Sequence, residues 1–538
     1  MKNRFLIIIL VFTVQQLFAQ ATPVKPIAAQ ILKAIGSGQE FFTSSPFLIS
    51  PNDTLTSLLA KHVDSFAVLT IQPSELKKII QAQPRYLRLL IPDYRGNQTE
   101  VLLQSHSITA PGFVLRTSSG EKMQSSDING LHYWGMIRNQ PGSCVAISIF
   151  DDEIMGVFSA GYGNINIGKI QNHSQYIIYN DVNLKERDNF VCENRYGENG
   201  NISRQVKTNG TRQTVAQNCV KLYWEINNDV FTKFGSLSRT VNFLTGVFNQ
   251  HQMEYANDNI TVALSELFIW NTNSPYKGSS SADFLYAFQT KSDAFNGDVG
   301  ILIKISNSAG GIAGFIGGLC DTLWSHKKCL AGIYNYYYDI PVYSWTVNVV
   351  THEQAHIMGT MHTHDCIWNG NQTAIDGCGP AALYPGGGSC PDGPIPVKGT
   401  IMSYCHLPPN PGIDLSLGFG PQPDSIIIAN INAAPCLPAL PCTGVSELAI
   451  KDNNPIIIYP NPNDGTFFIE FAHLVSTKVE FKMYNILGKL VYDETQDLII
   501  NSGIYSKKIE LPYNPTGIYF LQIIDSDNNR SNHKIVIE

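Results

Sequence analysis

The stretch THEQAHIMGTMHTHDC, residues 351–366, sets four histidines, a glutamate and an aspartate close together in a chain of which only 15% is charged. Such a stretch joins a folded core only if something holds its titratable groups. On a helix beginning near Ser344, His352 and His356 lie one turn apart on one face, where both imidazoles reach a single ion. Glu353 stands beside the first histidine and approaches water on that ion without being a ligand. Gly359 suits a left-handed helix stop, after which His362 swings back as a third nitrogen. Three neutral histidines with one open position describe a catalytic zinc site, because structural sites are closed by four protein ligands.

The rest of the chain sets the context. With 538 residues, it exceeds what one core usually organises, so several domains are expected. Residues 1–19 of MKNRFLIIILVFTVQQLFAQ read as an export signal, too short to span a bilayer, and no later segment is long and apolar enough to do so. The net charge of −7 without a basic run argues against nucleic acid. Eleven cysteines fit an oxidising compartment, and the odd number leaves at least one thiol without a disulfide. Up to about residue 200, alternating segments such as RYLRLLIPDY and CVAISIF predict a mainly β region with a helix near SELKKIIQAQ. A polar, Asn- and Gly-rich stretch over 193–217 reads as a cleavable linker, with the Arg-bearing 204–212 most open to cutting. Beyond it, CVKLYWEI, SRTVNFLTGVFNQHQMEYA and ITVALSELFIW read as strand, helix and strand, which implies a mixed sheet with helical crossovers. A last short helix is expected over 424–436, then a Pro-bearing linker at 438–454. About seven short strands after that form a small β-sandwich pattern.

The pattern His352-Glu353-x-x-His356-x-x-Gly359-x-x-His362 is the metzincin zinc signature, and GTIMSYC sets Met402 where metzincins have the methionine turn beneath the metal. Residues 214–437 resemble a reprolysin-type, or adamalysin-type, metzincin catalytic domain. The resemblance extends to LSELFIW, to YSWTVNVVTHE and to GGIAGF. In GGIAGF, Gly311, Ile312 and Ala313 would form the edge strand along which a peptide lies, small residues leaving backbone groups open. It implies one catalytic Zn2+ held by His352, His356 and His362, with Glu353 as general base. Calcium is possible, but no motif indicates it. The Met-Ser-Tyr turn departs from the adamalysin pattern and resembles serralysins and astacins, in which Tyr404 would reach the metal or the oxyanion. His364, Asp365 and His406 fit supporting hydrogen bonds or plain exposure better than ligation.

The flanks carry resemblances too. YWGMIRNQPGSCVAISIFDDEIMGVF is similar to reprolysin-type propeptides, which makes residues 20–213 a propeptide in which a cysteine can block the metal. By position Cys192 is the first candidate for that switch and Cys144 the second; an ordinary disulfide is the alternative. From residue 455 to 538, IYPNPNDGTFFIEF and NPTGIYFLQIIDSDNNRSNHKIVIE resemble the C-terminal sorting domain read by the type IX secretion machinery of Bacteroidetes-type bacteria. The expectation is therefore a multidomain chain with a mainly β propeptide, an α/β catalytic domain and a terminal β-sandwich. It would be a monomeric, secreted or surface-held zinc endopeptidase made as a zymogen and acting on proteins or peptides. Two rivals stay open: a surface binding or adhesion protein with a relic zinc site, and a zinc amidase. Intact Glu353 weighs against the first, and the edge strand against the second.

Overall fold

Alternating apolar residues in the N-terminal segment build one sheet. A computed structural model describes residues 24–194, 215–437 and 456–537, apart from 51, 292–293, 306–309, 335, 460, 473–476, 487, 499–503, 512–515 and 525–529. The export signal, the part of the polar linker at 195–214 and the linker 438–454 lie outside the described residues. In residues 24–194, ten strands follow one another across a single sheet, antiparallel except where Phe42–Ser44 lies parallel to Tyr86–Pro92. SELKKIIQAQ forms the helix Pro73–Ala82, as its pattern predicts. The helices Pro26–Gly36 and Asp53–Leu59 were not anticipated from the sequence.

The second sheet is built around CVKLYWEI. Its order is Gly311–Ala313, Lys328–Ile333, Val299–Ile305, Cys219–Ile226, Thr261–Ile269, Thr109–Thr117 and Lys122–Gln124. The five inner strands are parallel and the two outermost antiparallel to their neighbours. Inner strands covered on both faces read as near-continuous apolar runs, and VGILIKI is one. On one face Tyr223, Leu302 and Leu330 pack against Phe288 of the helix Ser281–Lys291. On the other, Leu222, Trp224 and Ile301 face the long helix Leu237–Asn257 and the helix Tyr343–Ile357.

Two of the seven strands come from the N-terminal segment, and that segment also covers the far side of the long helix. Trp134 Nε1 donates to Asn249 O at 3.0 Å, and Asn249 Nδ2 to Ile147 O at 3.1 Å. At Gly246 an added Cβ would meet the end of the Met155 side chain, so the two elements approach closely there. Among the described residues no helix is long and apolar enough to cross a membrane. Disulfides join Cys320–Cys436, Cys366–Cys390 and Cys378–Cys405, and Cys219 is also disulfide-bonded. Cys144, Cys192 and Cys329 are free and buried. The helix expected over 424–436 runs Pro421–Ala433 instead, because Pro421 is pre-set for the first helical position. In residues 456–537, sheets of three and four antiparallel strands share a core around Phe467, Phe481 and Leu521.

The helix Tyr343–Ile357 has Val342 at its N-cap, which offers no side-chain acceptor. Asn166 of the N-terminal sheet supplies one: Ser344 N donates to Asn166 Oδ1 at 2.9 Å, and Asn166 Nδ2 bonds Ser344 Oγ at 3.1 Å. Without it, a buried N–H at the helix start has no partner. Asn166→Ala is therefore expected to lower stability by about 1 kcal/mol, as loss of an N-cap does. Urea unfolding followed by fluorescence checks this, the midpoint falling with the slope unchanged.

Candidate metal centre

Every residue of Tyr343–Ile357 is buried, so partners for its polar groups come only from inside the protein, and the Gln354 carboxamide has none among the described residues. His352 and His356 project from successive turns with their Nε2 atoms 3.2 Å apart. The chain then leaves the helix at Gly359, where φ is +102° and a Cβ would strike Asn430. That turn returns His362, whose Nε2 lies 3.2 Å from that of His356. For tetrahedral zinc with Zn–N bonds of ~2.0–2.1 Å, neighbouring nitrogens are about 3.3 Å apart.

The other ring nitrogens of His352 and His356 are engaged as such a site requires. His352 Nδ1 pairs with Ile401 O at 2.8 Å, and His356 Nδ1 with Thr360 O at 2.8 Å. A neutral ring that donates from Nδ1 presents the Nε2 lone pair inward. Burial pushes all three imidazoles down, His356 to about 4, and so favours the neutral form that binds metal. Asp365 accepts from His362 N at 3.1 Å, and Trp368 Nε1 donates to His362 O at 2.8 Å.

Cys192 completes the group. Its Sγ is 3.5 Å from His356 Nε2 and 3.5 Å from Glu353 Oε2. With Zn–S at ~2.3 Å, a sulfur–nitrogen edge of about 3.5 Å is expected. The donor atoms of Cys192, His352, His356 and His362 all lie within 4.8 Å of one another. This donor set fits zinc.

Residues 187–194 form a strap that carries Cys192 across the cleft. It runs parallel to the edge strand: Gly311 N donates to Val191 O at 3.1 Å, and Glu193 N to Gly311 O at 3.0 Å. The Asn194 carboxamide, turned to suit its partners, bonds both Ala313 O and Ala313 N at 2.9 Å. Phe190 stacks on His406, centroids 4.3 Å apart, and His406 Nε2 meets Phe190 O at 2.8 Å. Arg187 donates to Asn410 O at 2.6 Å.

The other residues singled out in the sequence gather here, with one exception. Glu353 is fully buried, which pushes its carboxyl well above the usual range, and Oε1 has no hydrogen-bond partner. A Cβ on Gly311 would collide with that carboxylate, so the glycine makes room for it. Ile312 and Ala313 continue the edge strand. The Tyr404 hydroxyl donates to Cys192 O at 2.5 Å. Met402 is fully buried, its carbonyl accepting from Thr363 N at 3.1 Å. His364 stacks on His362 with centroids 5.0 Å apart. Cys144 is the exception: it lies in the core with its Sγ 3.9 Å from Glu254 Oε1. The carbonyls of Ile401 and Thr360 and the role of Phe190 escaped the sequence, since a backbone acceptor carries no residue signature.

Comparison with known proteins agrees with this geometry. Residues 216–410 match the family model for metallo-peptidase family M12, and residues 457–538 that for a secretion system C-terminal sorting domain. The chain thus carries an M12 metallopeptidase domain, a family that implies zinc, and a sorting domain that implies secretion or cell-surface export. No curated protein matches. Among solved structures, latent dimeric PorU from Porphyromonas gingivalis is similar at 18% identity, over 15% of this chain and 9% of that one, with a TM-score of 0.14. A Parabacteroides merdae β-glucuronidase is similar at 12% identity, over 15% of this chain and 13% of that one, with a TM-score of 0.12. OgpA from Akkermansia muciniphila is similar at 13% identity, over 62% of this chain and 96% of that one, with a TM-score of 0.19. The chain spans well under two thirds of the length of PorU and of the glucuronidase.

Removing one nitrogen from this donor set should cost the metal itself. His362→Ala protein, purified in zinc-containing buffer, is expected to hold far less than one zinc per chain by elemental analysis, while the unaltered chain holds about one.

Proposed function

We propose that this metallopeptidase-domain chain is a secreted zinc endopeptidase, made as a zymogen, that hydrolyses peptide bonds of extracellular proteins. The observation that carries the reading is the strap itself. The cleft holds an extended polypeptide hydrogen-bonded to Gly311 and Ala313, directly over Glu353 and the three histidines. A site that already takes a peptide in strand form favours peptide substrates over small amides. An intact Glu353 beside a complete ligand set favours turnover over a relic.

Zinc, when bound by His352, His356 and His362, supplies a Lewis acid that makes water more acidic and polarises a carbonyl. The rest falls to the chain's own groups. Glu353 takes the proton of the attacking water and delivers it to the leaving nitrogen. The backbones of Gly311 and Ala313 hold the substrate in register. Tyr404, which bonds the Cys192 carbonyl in the latent form, is free to donate to the substrate's carbonyl oxygen once the strap has left.

Latency then has two parts. The Cys192 sulfur would supply a fourth ligand to the metal, and the strap backbone fills the edge that substrate needs. Cutting in 195–214 frees the strap's C-terminal end.

Two variants test the reading. Glu353→Gln should keep zinc and lose roughly 10²–10⁴-fold in chelator-sensitive peptide cleavage; full zinc with near-normal turnover sinks the mechanism. In the uncut chain, Cys192→Ser should raise activity above the wild-type precursor yet leave it below the cut form. A hydroxyl is a poor zinc ligand, but the strap's backbone bonds remain. An uncut Cys192→Ser chain as silent as the wild type would remove Cys192 from the switch.

A further inference from the structure

The zymogen reading says where the chain is cut; the packing says what the cut releases. We infer that cleavage in 195–214 frees only the strap, and that residues 24–185 stay bound to 215–437, so that the active enzyme is a two-chain assembly. The interaction surface is the outer side of the long helix together with the edge of strand Thr261–Ile269, and the partner is this chain's own N-terminal segment. The inference rests on the proposed activation cut but not on the chemistry at the metal.

The two segments share one core. Phe113, Leu115, Trp134 and Met155 of the N-terminal segment are buried in the same apolar cluster as Trp224, Phe248 and Leu264 of the metallopeptidase domain. Strand Thr109–Thr117 is an inner member of the sheet, parallel to Thr261–Ile269 with Val114 opposite Glu266 and Thr117 opposite Ile269. Its departure would leave Thr261–Ile269 as a bare edge with its backbone groups unpaired. It would also strip the partner from Glu266: that carboxylate, 1% exposed, takes Arg116 Nε at 2.8 Å and pairs with its Nη2 as well. A buried charge deprived of its partner is costly.

The metal site leans on the same segment. Asn166 caps the helix that carries His352, Glu353 and His356, and Asp414 accepts from Ser159 Oγ at 2.6 Å and from Gly163 N at 2.8 Å. Stripping the whole segment would uncap that helix. The strap differs in extent. The last backbone tie before it is Lys185 N to His62 O at 2.9 Å, and beyond that only the short run Phe190, Val191 and Cys192 joins the shared apolar cluster, with Phe190 packed on His406. Among the described residues no disulfide joins residues 24–194 to 215–437, so the association is noncovalent.

The test uses the full chain with residues 204–212 replaced by the recognition sequence of a site-specific protease. After complete cutting at micromolar concentration, and again after hundredfold dilution, size-exclusion chromatography with light scattering should give one species at the uncut mass containing both fragments. Hydrogen exchange should find the amides of 109–117 as protected as before the cut, and those of 187–194 exchanging faster. Separation of the fragments without denaturant, or joint loss of protection at 109–117 and 187–194, overturns the inference. Peptide cleavage is read in parallel. An intact assembly that gains no activity supports the two-chain inference and counts against the zymogen reading; separated fragments with gained activity do the reverse.

Discussion

Two imidazoles on successive helical turns share one ion as neutral rings, and burial of the helix that carries them favours that neutral form. Here the burial is complete: Tyr343–Ile357 hides Ser344, Asn348, Thr351 and Gln354 as well as both histidines and Glu353. A buried polar group without a partner costs ~1–3 kcal/mol, so much of the surrounding structure exists to supply partners. His251 Nδ1 meets Thr351 Oγ1 at 2.9 Å, Tyr255 donates to Thr351 O at 3.2 Å, and Asn166 caps the first turn. The long helix is polar on a buried face for the same reason. Its Asn249 and His251 serve neighbouring segments, not solvent.

The same constraint explains why the strap fits. A buried site lined by three neutral imidazoles and open to a metal takes a cysteine sulfur, which is small and a good zinc ligand. Cys192 enters with its carbonyl paired to Tyr404 and the backbone groups of its neighbours paired to Gly311. Glycine recurs where this geometry is tightest: Gly310 faces the backbone of Val191, and Gly311 faces Glu353.

Much of the site was legible because its chemistry is written at fixed spacing. The offsets among His352, His356, Gly359 and His362 already imply helix, stop and return, and Met402 and Tyr404 follow in one short turn. Cys192 was legible by position alone, beside a polar stretch. The partners were not. Arg116 and Glu266 meet across 150 residues of chain, and neither has a local pattern that selects the other. Nor does TAPGFVLRT announce that it joins a sheet whose remaining inner strands begin at Cys219, since alternation specifies a strand and not its neighbour. The helix Leu237–Asn257 was plain from its length, but period alone does not tell a helix covered on one side from one covered on both.

A parallel sheet must do something about its edges, and here the N-terminal segment does it at both. On one side the hairpin of Thr109–Thr117 and Lys122–Gln124 adds two strands, with Phe113 and Leu115 driven into the core. On the other, the strap closes Gly311–Ala313 through a few backbone bonds and one asparagine side chain. The covers have the same form but different extent: the strap is a short run that sets Phe190, Val191 and Cys192 in or against the core, whereas the hairpin adds two strands backed by the rest of the N-terminal segment. On the proposed zymogen reading, the edge that opens for substrate carries the shorter cover, next to the polar stretch. The other edge carries the longer one, well removed from that stretch in the chain.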